Sequence, residues 1–508
     1  MSAPTEEERY DVYVGRVARG AGISSFGQGL GRALAYVIQI MLARMYGPAQ
    51  LGLYALGVTI VGFANILAQF GMHNPLVRYV ARYQAERDPA RVRGTILLTL
   101  RVSLFLSLAL SILMFLGAGF LADTVFGKPA LEIPLRAFSV SVPFLTLMSM
   151  ALWATQGFQT VKYYSLIQLI LQPLINLALI IALYFVGAQL LGAVAAYVVS
   201  MAACSVLALY YLLRLFPRLL DRNTPPVYES RAVFSDSSQV FVAVSAEYIN
   251  VWTGVAVLGV LATSEDVGIY NAAARTAMIS SLVFLAFTQI FGPIIANLYT
   301  TGRLRDLEFL YKDVSRWIFM GGLGVFWVTV LLSRDILAVF GDEFVAGWPV
   351  MVVVAGGQLF SSSVGATNRV LLMTGHQRMY MLAMVAAAIT GLVASFALVP
   401  VFGILGAGLS DAATTVLANA ISLVAIRKTL NLWPYSRHYL KPFVAGLLAA
   451  AATLVAQLLL PLPEGLVTLL VLAPLYMVSF ALVLLGLGLS SSDRQLVKSI
   501  WLAVRGAG

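Results

Sequence analysis

Hydrophobic residues along this chain fall into fourteen long runs, separated by short polar connections. Each run has about the 20 residues that an α-helix needs to cross the hydrocarbon core of a bilayer. No connection is long enough to form a soluble domain. The pattern predicts an all-α integral membrane protein with about 14 transmembrane helices, at residues 20–46, 50–73, 95–120, 131–157, 163–187, 190–215, 236–262, 267–298, 311–333, 347–373, 379–400, 403–427, 441–461 and 464–489.

A stretch near the start of the chain has an echo about half a chain later. When residues 42–57 are laid over residues 258–270 at an offset of 216, Gly52-Leu53-Tyr54 meets Gly268-Ile269-Tyr270. Two further short matches follow in the same order, at offsets of 218 and 214. Matches in order at nearly one spacing favour a duplicated unit. Because each copy holds six helices, both enter the membrane in the same sense, and we expect two parallel-repeat lobes with a substrate site between them.

The runs and their connections also predict the domain boundaries. The connection around residues 214–235 contains three prolines and separates the two repeats, so we interpret it as a linker. Runs 13 and 14 lie outside the repeat and are separated only by residues 461–464, a predicted tight hairpin. The predicted parts are a cytoplasmic N-terminal tail at 1–14, an N-lobe at 15–216 (helices 1–6), a cytoplasmic linker at 217–235, a C-lobe at 236–428 (helices 7–12), a C-terminal helix pair at 429–489 and a cytoplasmic tail at 490–508.

Composition supports the membrane class. The chain is 60% hydrophobic and 11% charged, with a mean hydropathy of +0.87. Soluble domains are about 45–50% apolar and about 25% charged. The polar, acidic first residues do not form the apolar run of a cleavable signal peptide. The single cysteine, Cys204, excludes an internal disulfide, and we expect it to be a small buried hydrophobic residue.

Basic residues predict the orientation. With the N-terminus placed inside, 25 of the 33 Lys and Arg residues fall on the cytoplasmic side and four on the opposite side. This bias in short loops is the usual topology signal of bacterial membrane proteins, so both termini are predicted to be cytoplasmic. The same residues account for the net charge of +10. We therefore expect anionic membrane lipids, and no nucleic acid, as their partners.

Polar side chains inside the apolar runs mark the candidate site, because lipid tolerates them poorly. On run 1 they recur every three or four residues and share one helix face. A role as hydrogen-bonding contacts between helices is the alternative for each lone Gln, Asn, Ser or Thr. The uncharged candidates for contact with a substrate are Gln28, Tyr36, Gln39, Asn65, Gln69, Trp153, Asn250 and Asn271.

Charged residues inside the runs suggest an anionic substrate. Arg32 and Glu247 fall near the middle of their runs, where a charge costs about 2.5–3.5 kcal/mol on insertion scales. Arginine grips phosphate bidentately and keeps its charge when desolvated, so Arg32, Arg275 and, less centrally, Arg369 predict a cationic site. Two alternatives stay open: Glu247 pairs with Arg32 or Arg275, or Glu247 and Asp411 bind H⁺ or Na⁺ for coupling.

Three stretches carry a family resemblance. The string LARMYGPAQLGLYALG with the following Phe70-Gly71, the string LVRYVARY (76–83) and the string VFGILGAGLSDA (401–412) resemble bacterial polysaccharide-transporter proteins. These are flippases for lipid-linked O-antigen and exopolysaccharide repeat units. They belong to the multidrug/oligosaccharidyl-lipid/polysaccharide flippase superfamily, together with lipid II flippases and multidrug and toxic compound extrusion proteins.

The resemblance implies two six-helix lobes that form a V around a central cavity. A polyprenyl-pyrophosphate-linked oligosaccharide would pass its head group through this cavity by alternating access, while its tail stays in lipid. It also implies a monomer in the bacterial cytoplasmic membrane, with no cofactor or metal, and polysaccharide polymerase or export proteins as partners. Lipid II flippases carry basic residues on the first, second and eighth helices. Arg32 and Arg275 match them by helix alone, and run 2 has no basic residue near its middle.

Other function classes fit the sequence less well. An ion-coupled drug or cation antiporter of the same fold would be expected to carry carboxylates in the membrane core of the first lobe, and runs 1–6 have none near midplane. A lipid II-type flippase is a further alternative within the superfamily. A glycan polymerase or ligase needs acid–base residues on the outer face, and all three histidines fall at predicted cytoplasmic ends. A membrane scaffold explains neither the duplication nor the central charges. The sequence therefore predicts a transporter and not an enzyme.

Overall fold

The computed structural model describes residues 6–221, 225–460, 463, 465–488 and 493, with the backbone alone at 6–26 and at 286, 288–290 and 293. All regular secondary structure in these residues is helical, which confirms the predicted all-α class. The predicted hairpin at 461–464 lies outside the described residues except for 463. Of the predicted C-terminal tail at 490–508, the structure describes only Asp493.

The chain forms two compact units. The first consists of Met1–Asn271 and Leu392–Ala407, and the second of Ala272–Gly391 and Gly408–Gly508. In chain order the α-helices are α1 (Glu6–Gln69), α2 (His73–Ala85), α3 (Pro89–Leu116), α4 (Glu132–Ser139), α5 (Ser141–Gly157), α6 (Lys162–Tyr164), α7 (Gln172–Phe185), α8 (Gln189–Leu215), α9 (Ser230–Leu261), α10 (Ser264–Ala277), α11 (Ser281–Thr300), α12 (Leu304–Leu331), α13 (Ser333–Ala338), α14 (Trp348–Val364), α15 (Thr367–Met373), α16 (Gln377–Phe402), α17 (Ile404–Leu430), α18 (Leu440–Leu459) and α19 (Leu466–Gly486).

Membrane-length helices dominate the described residues. Eleven helical segments are long and apolar enough to cross a bilayer, and the number rises to twelve if the bent pair Pro129–Ser139 and Ser141–Gly157 is one span. Every predicted run overlaps helical structure, with runs 1 and 2 both inside α1 and run 8 interrupted by a 3₁₀ turn at Met278–Ser280. Large apolar side chains such as Phe185 and Leu458 are 82% and 86% exposed, as expected for surfaces that face lipid. The count of fourteen and the two lobes stay predictions.

A sharp break divides α1 at the position where the sequence predicts a boundary between two runs. Gly47 has φ 76° and ψ 177°, outside the helical region, and Pro48 follows it. Proline disfavours the helical conformation in the residue before it, and glycine adopts positive φ without a side-chain clash. The two halves of α1 are therefore separate helical segments that meet at this bend.

The repeat-equivalent glycines pack against each other within the first unit. A Cβ atom at Gly52 would lie 1.8 Å from the backbone oxygen of Ser264, and one at Gly268 would lie 2.0 Å from that of Pro48. No side chain fits into either contact. The echo noted in the sequence thus marks a close crossing between the second half of α1 and the start of α10. Small residues at such crossings let two membrane helices approach closely.

Helix α9 forms hydrogen bonds to other segments of the first unit at two points. The Tyr248 hydroxyl donates a hydrogen bond to the backbone oxygen of Thr59 at 2.7 Å, and Gly62 leaves room for the ring. At the C-terminus of α9, the Lys128 ammonium donates to the backbone oxygens of Gly259 and Ala262. A cation that bonds the last carbonyls of a helix stabilises that end. Burial lowers the pKa of Lys128, although the nearby Asp266 acts in the opposite direction.

The C-terminal helices pack onto α12 within the second unit. Phe319 and Leu323 of α12 form one apolar cluster with small residues of α18 and with Tyr476 and Phe480 of α19. The two aromatic rings of α19 stack at a centroid distance of 6.0 Å. The small residues Ala445 and Ala449 allow α18 to lie close to α12, so α18 and α19 are anchored on one face and expose the other.

Candidate functional site

A polar face runs along the first half of α1, as the sequence predicts. Gln28, Arg32, Tyr36 and Gln39 follow one another at spacings of four, four and three residues, which places them on one side of the helix. Arg32 is exposed and the other three side chains are half-buried. The Gln39 amide donates a hydrogen bond to the backbone oxygen of Asn271 at 3.3 Å, so Gln39 joins α1 to α10. Arg32, the exposed member of this face, lies within the candidate span Gly27–Gln69.

Helix α9 carries a second polar face in the same unit. Glu247 and Asn250 lie about 60° apart around the helix and point away from Tyr248, which faces α1. Glu247 is exposed and has no hydrogen bond or ion pair with any residue that the structure describes. The predicted ion pair between Glu247 and Arg32 is therefore not formed in this conformation. A role of Glu247 in coupling stays a prediction.

Two of the predicted contacts take part in helix packing. The Oδ1 atom of Asn65 accepts hydrogen bonds from the Thr146 hydroxyl and from the Gln69 amide, both at 3.0 Å. Thr146 lies on α5, so this network fastens the second half of α1 to α5. This is the role of hydrogen-bonded contact between helices that the sequence left open. Substrate binding by Asn65 and Gln69 stays a prediction.

Trp153 lies in an aromatic group at the end of α5. Its ring is 5.3 Å from the His73 ring and 5.6 Å from the Tyr164 ring, measured between centroids. Trp153 is half-buried and packs against the core of the first unit. Burial lowers the pKa of His73 to about 4, so this imidazole is neutral near pH 7. The indole is therefore held by its neighbours, and the predicted sugar contact is not tested by this geometry.

The remaining predicted residues belong to the second unit or lie at its boundary. Arg275 is half-buried in the last turn of α10, and Arg369 is half-buried on α15. A Cβ atom at Gly292 would lie 3.2 Å from Nε of Arg369, so the glycine makes room for this side chain beside α11. Asp411 on α17 is 6% exposed. The structure thus holds each charge within a helical segment, but its role is still a prediction.

The sequence interpretation missed a further polar cluster between α2 and the start of α9. Asp236 accepts hydrogen bonds from the Arg78 guanidinium and, at 2.8 Å, from the Tyr79 hydroxyl. Glu229 accepts a hydrogen bond from the Tyr83 hydroxyl. We call these contacts the α2–α9 latch. Burial raises the pKa of Tyr79 and of Tyr83, and the hydrogen bonds to Asp236 and Glu229 raise it further.

Two spacings in the sequence could have revealed the latch. Tyr79 and Tyr83 are four residues apart and share one face of α2, which also buries Leu76 and Val80. Glu229 and Asp236 are seven residues apart, two helical turns, at the start of α9. The sequence interpretation assigned the arginines of residues 78–93 to a loop, and so it missed this amphipathic helix.

Comparisons with known proteins agree with the fold. A sequence model of the family described as "Polysaccharide biosynthesis protein" matches residues 17–298, more than half of the chain. The chain is 22% identical to stage V sporulation protein B of Bacillus subtilis (strain 168) over 446 residues, covering 83% of the chain and 86% of that protein. It is 24% identical to the succinoglycan biosynthesis transport protein ExoT of Rhizobium meliloti (strain 1021) over 439 residues, covering 84% and 82%.

A solved structure shows the same fold at low sequence identity. The lipid II flippase MurJ, in a structure described as the inward closed conformation, superposes with a TM-score of 0.73 at 11% identity. The match covers 90% of this chain and 97% of MurJ. The resemblance read from the short strings in the sequence is thereby confirmed. The chain belongs to the polysaccharide biosynthesis protein family.

Proposed function

We propose that this chain moves polyprenyl-pyrophosphate-linked oligosaccharide repeat units from the cytoplasmic to the outer leaflet, for the synthesis of cell-surface polysaccharide. The observation that carries the proposal is the exposed Arg32 on a polar face inside a membrane-length helix. An arginine side chain in contact with lipid near the middle of an apolar run would cost several kcal/mol. We therefore interpret the exposed side of Arg32 as facing water in an aqueous path. A transport protein named for succinoglycan biosynthesis among its relatives agrees with a glycan substrate.

The chemistry of the proposed site matches a pyrophosphate better than a neutral or cationic head group. Arg32 and Arg275 would each donate two parallel hydrogen bonds to phosphate oxygens, a geometry that the planar guanidinium favours. Gln28 and Tyr36, on the same face of α1 as Arg32, have the amide and hydroxyl groups that bind sugars. An organic cation would be repelled by the arginines, which disfavours a drug antiporter.

The α2–α9 latch gives the proposal a mechanism of alternating access. In the predicted division of the chain, α2 belongs to the N-lobe, Asp236 is the first residue of the C-lobe, and Glu229 lies in the linker that joins them. Rocking of these lobes to open the cytoplasmic side would break the contacts of Asp236 and Glu229. The latched state corresponds to a transporter that is closed toward the cytoplasm. Binding of the substrate must stabilise the unlatched state by more than the latch stabilises the closed one.

Flipping of a fluorescent polyprenyl-pyrophosphate oligosaccharide in proteoliposomes tests the site. We expect Arg32→Ala and Arg275→Ala each to slow flipping by about 10–100-fold, because each removes a charge-assisted hydrogen-bonding group. Arg32→Lys should be intermediate, since it keeps the charge and loses the planar fork. Arg303→Ala is the matched control, because Arg303 is an exposed arginine that pairs with Asp306 and lies just outside the candidate span Leu304–Leu331. Full activity of both alanine variants at normal protein levels would exclude the cationic site.

A further inference from the structure

A cavity lies in the first unit, at the ends of several membrane-length helices, and its lining includes no residue of the polar faces of α1 and α9. It forms where the turn between α2 and α3 meets the ends of α5 and α8, and its volume is about 430 Å³. Pockets that bind small ligands or head groups have volumes of about 300–1,000 Å³. Its lining includes Arg87, Asp88, Phe158, Phe216, Pro217 and Arg218.

The lining carries more positive than negative charge. The Asp88 carboxylate accepts a hydrogen bond from the backbone N–H of Arg91 at 3.0 Å, and the Arg91 guanidinium lies 3.5 Å from its other oxygen. Asp88 is thus committed to the N-terminus of α3 and to Arg91. Arg87 and Arg218 are both exposed, and neither forms an ion pair with a residue in the described part of the chain. Two guanidinium groups are therefore available to an anion.

The backbone holds both arginines in defined positions. Arg87 has a φ of 56°, a left-handed conformation that glycine or asparagine adopts more easily than arginine. This conformation raises the free energy of an arginine, whereas a glycine adopts it without a side-chain clash. Arg218 lies in the 3₁₀ turn Pro217–Leu219, which is fixed because the buried Arg93 donates a hydrogen bond to the backbone oxygen of Leu219 at 3.0 Å.

The apolar part of the lining suits a lipid. The rings of Phe158 and Phe216, which both line the cavity, have centroids 5.6 Å apart. The membrane spans of α3 and α8 begin and end here, which places the cavity at the boundary between hydrocarbon and water. In the predicted orientation this boundary is cytoplasmic, where anionic lipids concentrate and basic pockets between helices bind their head groups.

We propose that this cavity binds the phosphate of an anionic lipid between Arg87 and Arg218. Either a membrane phospholipid or the pyrophosphate of a polyprenyl carrier supplies this chemistry. The apolar rings of Phe158 and Phe216 would contact the first carbons of the lipid tail. This site is separate from Arg32 and does not depend on the proposed flipping of an oligosaccharide.

Titration of the detergent-solubilised full chain with single lipids, read by native mass spectrometry, tests the proposal. The probes are phosphatidylglycerol, polyprenyl pyrophosphate, inorganic pyrophosphate and a neutral glucosyl diacylglycerol with the acyl chains of the phosphatidylglycerol. The variants are Arg87→Gly and Arg218→Gln. Arg231→Gln is the matched control, because Arg231 is also an exposed arginine on the predicted cytoplasmic side but does not line the cavity.

We expect Arg87→Gly and Arg218→Gln each to weaken binding of the phosphate-bearing lipid by about tenfold. The thermal midpoint of Arg87→Gly should stay equal or rise, because glycine relieves the left-handed backbone, so lost binding cannot be attributed to misfolding. A loss confined to phosphatidylglycerol identifies a membrane phospholipid, and a loss confined to polyprenyl pyrophosphate identifies the carrier lipid. Both results support the site.

Three results would overturn the proposal. The first is unchanged binding of every lipid in both cavity variants. The second is an equal loss in Arg231→Gln, which would assign the effect to the general positive charge of this side. The third is binding of a control probe as tightly as the anionic lipids. For inorganic pyrophosphate, this would show that the lipid tail does not contribute to binding. For the neutral glycolipid, it would show that the phosphate does not contribute.

Discussion

Single polar residues in membrane helices have two kinds of role, and the structure separates some of them. Asn65 is bonded to Thr146, which lies 81 residues further along the chain, so no local pattern could reveal this packing role. Arg32 was predicted from its depth in an apolar run, and its exposure agrees with an aqueous path. Depth can be counted along a sequence, whereas the partner of a side chain depends on packing between distant segments. That difference explains why the packing contact of Asn65 could not be predicted from the sequence, and the role of Arg32 stays a prediction.

His73 makes a prediction about pH at the residue scale. Its folded pKa is about 4, whereas an unfolded chain would titrate near 6.5. The folded state therefore binds fewer protons between these values, and its stability falls as the pH drops through this window. We expect the thermal midpoint to decrease more between pH 7 and about pH 5 in the wild-type protein than in His73→Gln. Equal decreases would show that His73 is solvated in the native state.

At the scale of elements, the apolar runs predicted the helices well and the connections poorly. The end of run 1 and the start of run 2 meet at Gly47-Pro48, where the structure has its break. Helix α2 was missed because its arginines were counted as topology signals, although Leu76, Tyr79, Val80 and Tyr83 recur at helical spacing. Hydropathy detects helices that face lipid on most sides. An interfacial helix buries only one face, and it is recognised by periodicity instead.

The crossing of α1 and α10 at Gly52 and Gly268 leads to a prediction for this pair of elements. Gly52→Ala or Gly268→Ala would place a methyl group within about 2 Å of a backbone oxygen, so the helices must separate. Overpacking of this kind costs about 3 kcal/mol, and more where backbone must move. We expect low expression and a lowered thermal midpoint for both variants.

A control for this prediction lies on the same helix. Gly29 has no atom within 4 Å of an added Cβ, so Gly29→Ala should be neutral or stabilising by about 0.5–1 kcal/mol. If the variants at Gly52 and Gly268 are as stable as Gly29→Ala, the close crossing is absent in the protein.

At the scale of the whole molecule, the sequence pointed to a duplication and to two lobes, whereas the compact units divide the chain elsewhere. The first unit includes residues 230–261 of α9, which the sequence assigned mostly to the C-lobe. The Tyr248–Thr59 hydrogen bond and the α2–α9 latch explain why α9 groups with the helices of the N-terminal part of the chain. Contacts between distant segments decide such a division, and a repeat read from short matches cannot foresee it. The division into two lobes that move against each other therefore remains a prediction.

The latch gives a prediction about the conformation of the whole transporter. Asp236→Asn removes the negative charge that pairs with Arg78. Exposed ion pairs of this kind contribute about 0–1 kcal/mol, which changes the ratio of two conformations by up to about fivefold. The reporter is Asn250→Cys in a Cys204→Ser background. We expect Asp236→Asn to increase the rate at which this cysteine reacts with a thiol reagent added from the cytoplasmic side. Asp306→Asn is the control, since Asp306 also pairs with an exposed arginine, Arg303, and is not part of the latch. An unchanged rate in Asp236→Asn would show that the latch does not limit access.

The substrate class is the central claim, and transport by the wild-type chain in proteoliposomes tests it most directly. The measurement compares a fluorescent polyprenyl-pyrophosphate oligosaccharide, a neutral glycolipid with the same glycan, and an organic cation. We predict selective movement of the pyrophosphate lipid, because the exposed arginine of α1 attracts an anionic head group. Export of the cation with neither lipid moved would contradict the account and would make the chain an antiporter of the same fold.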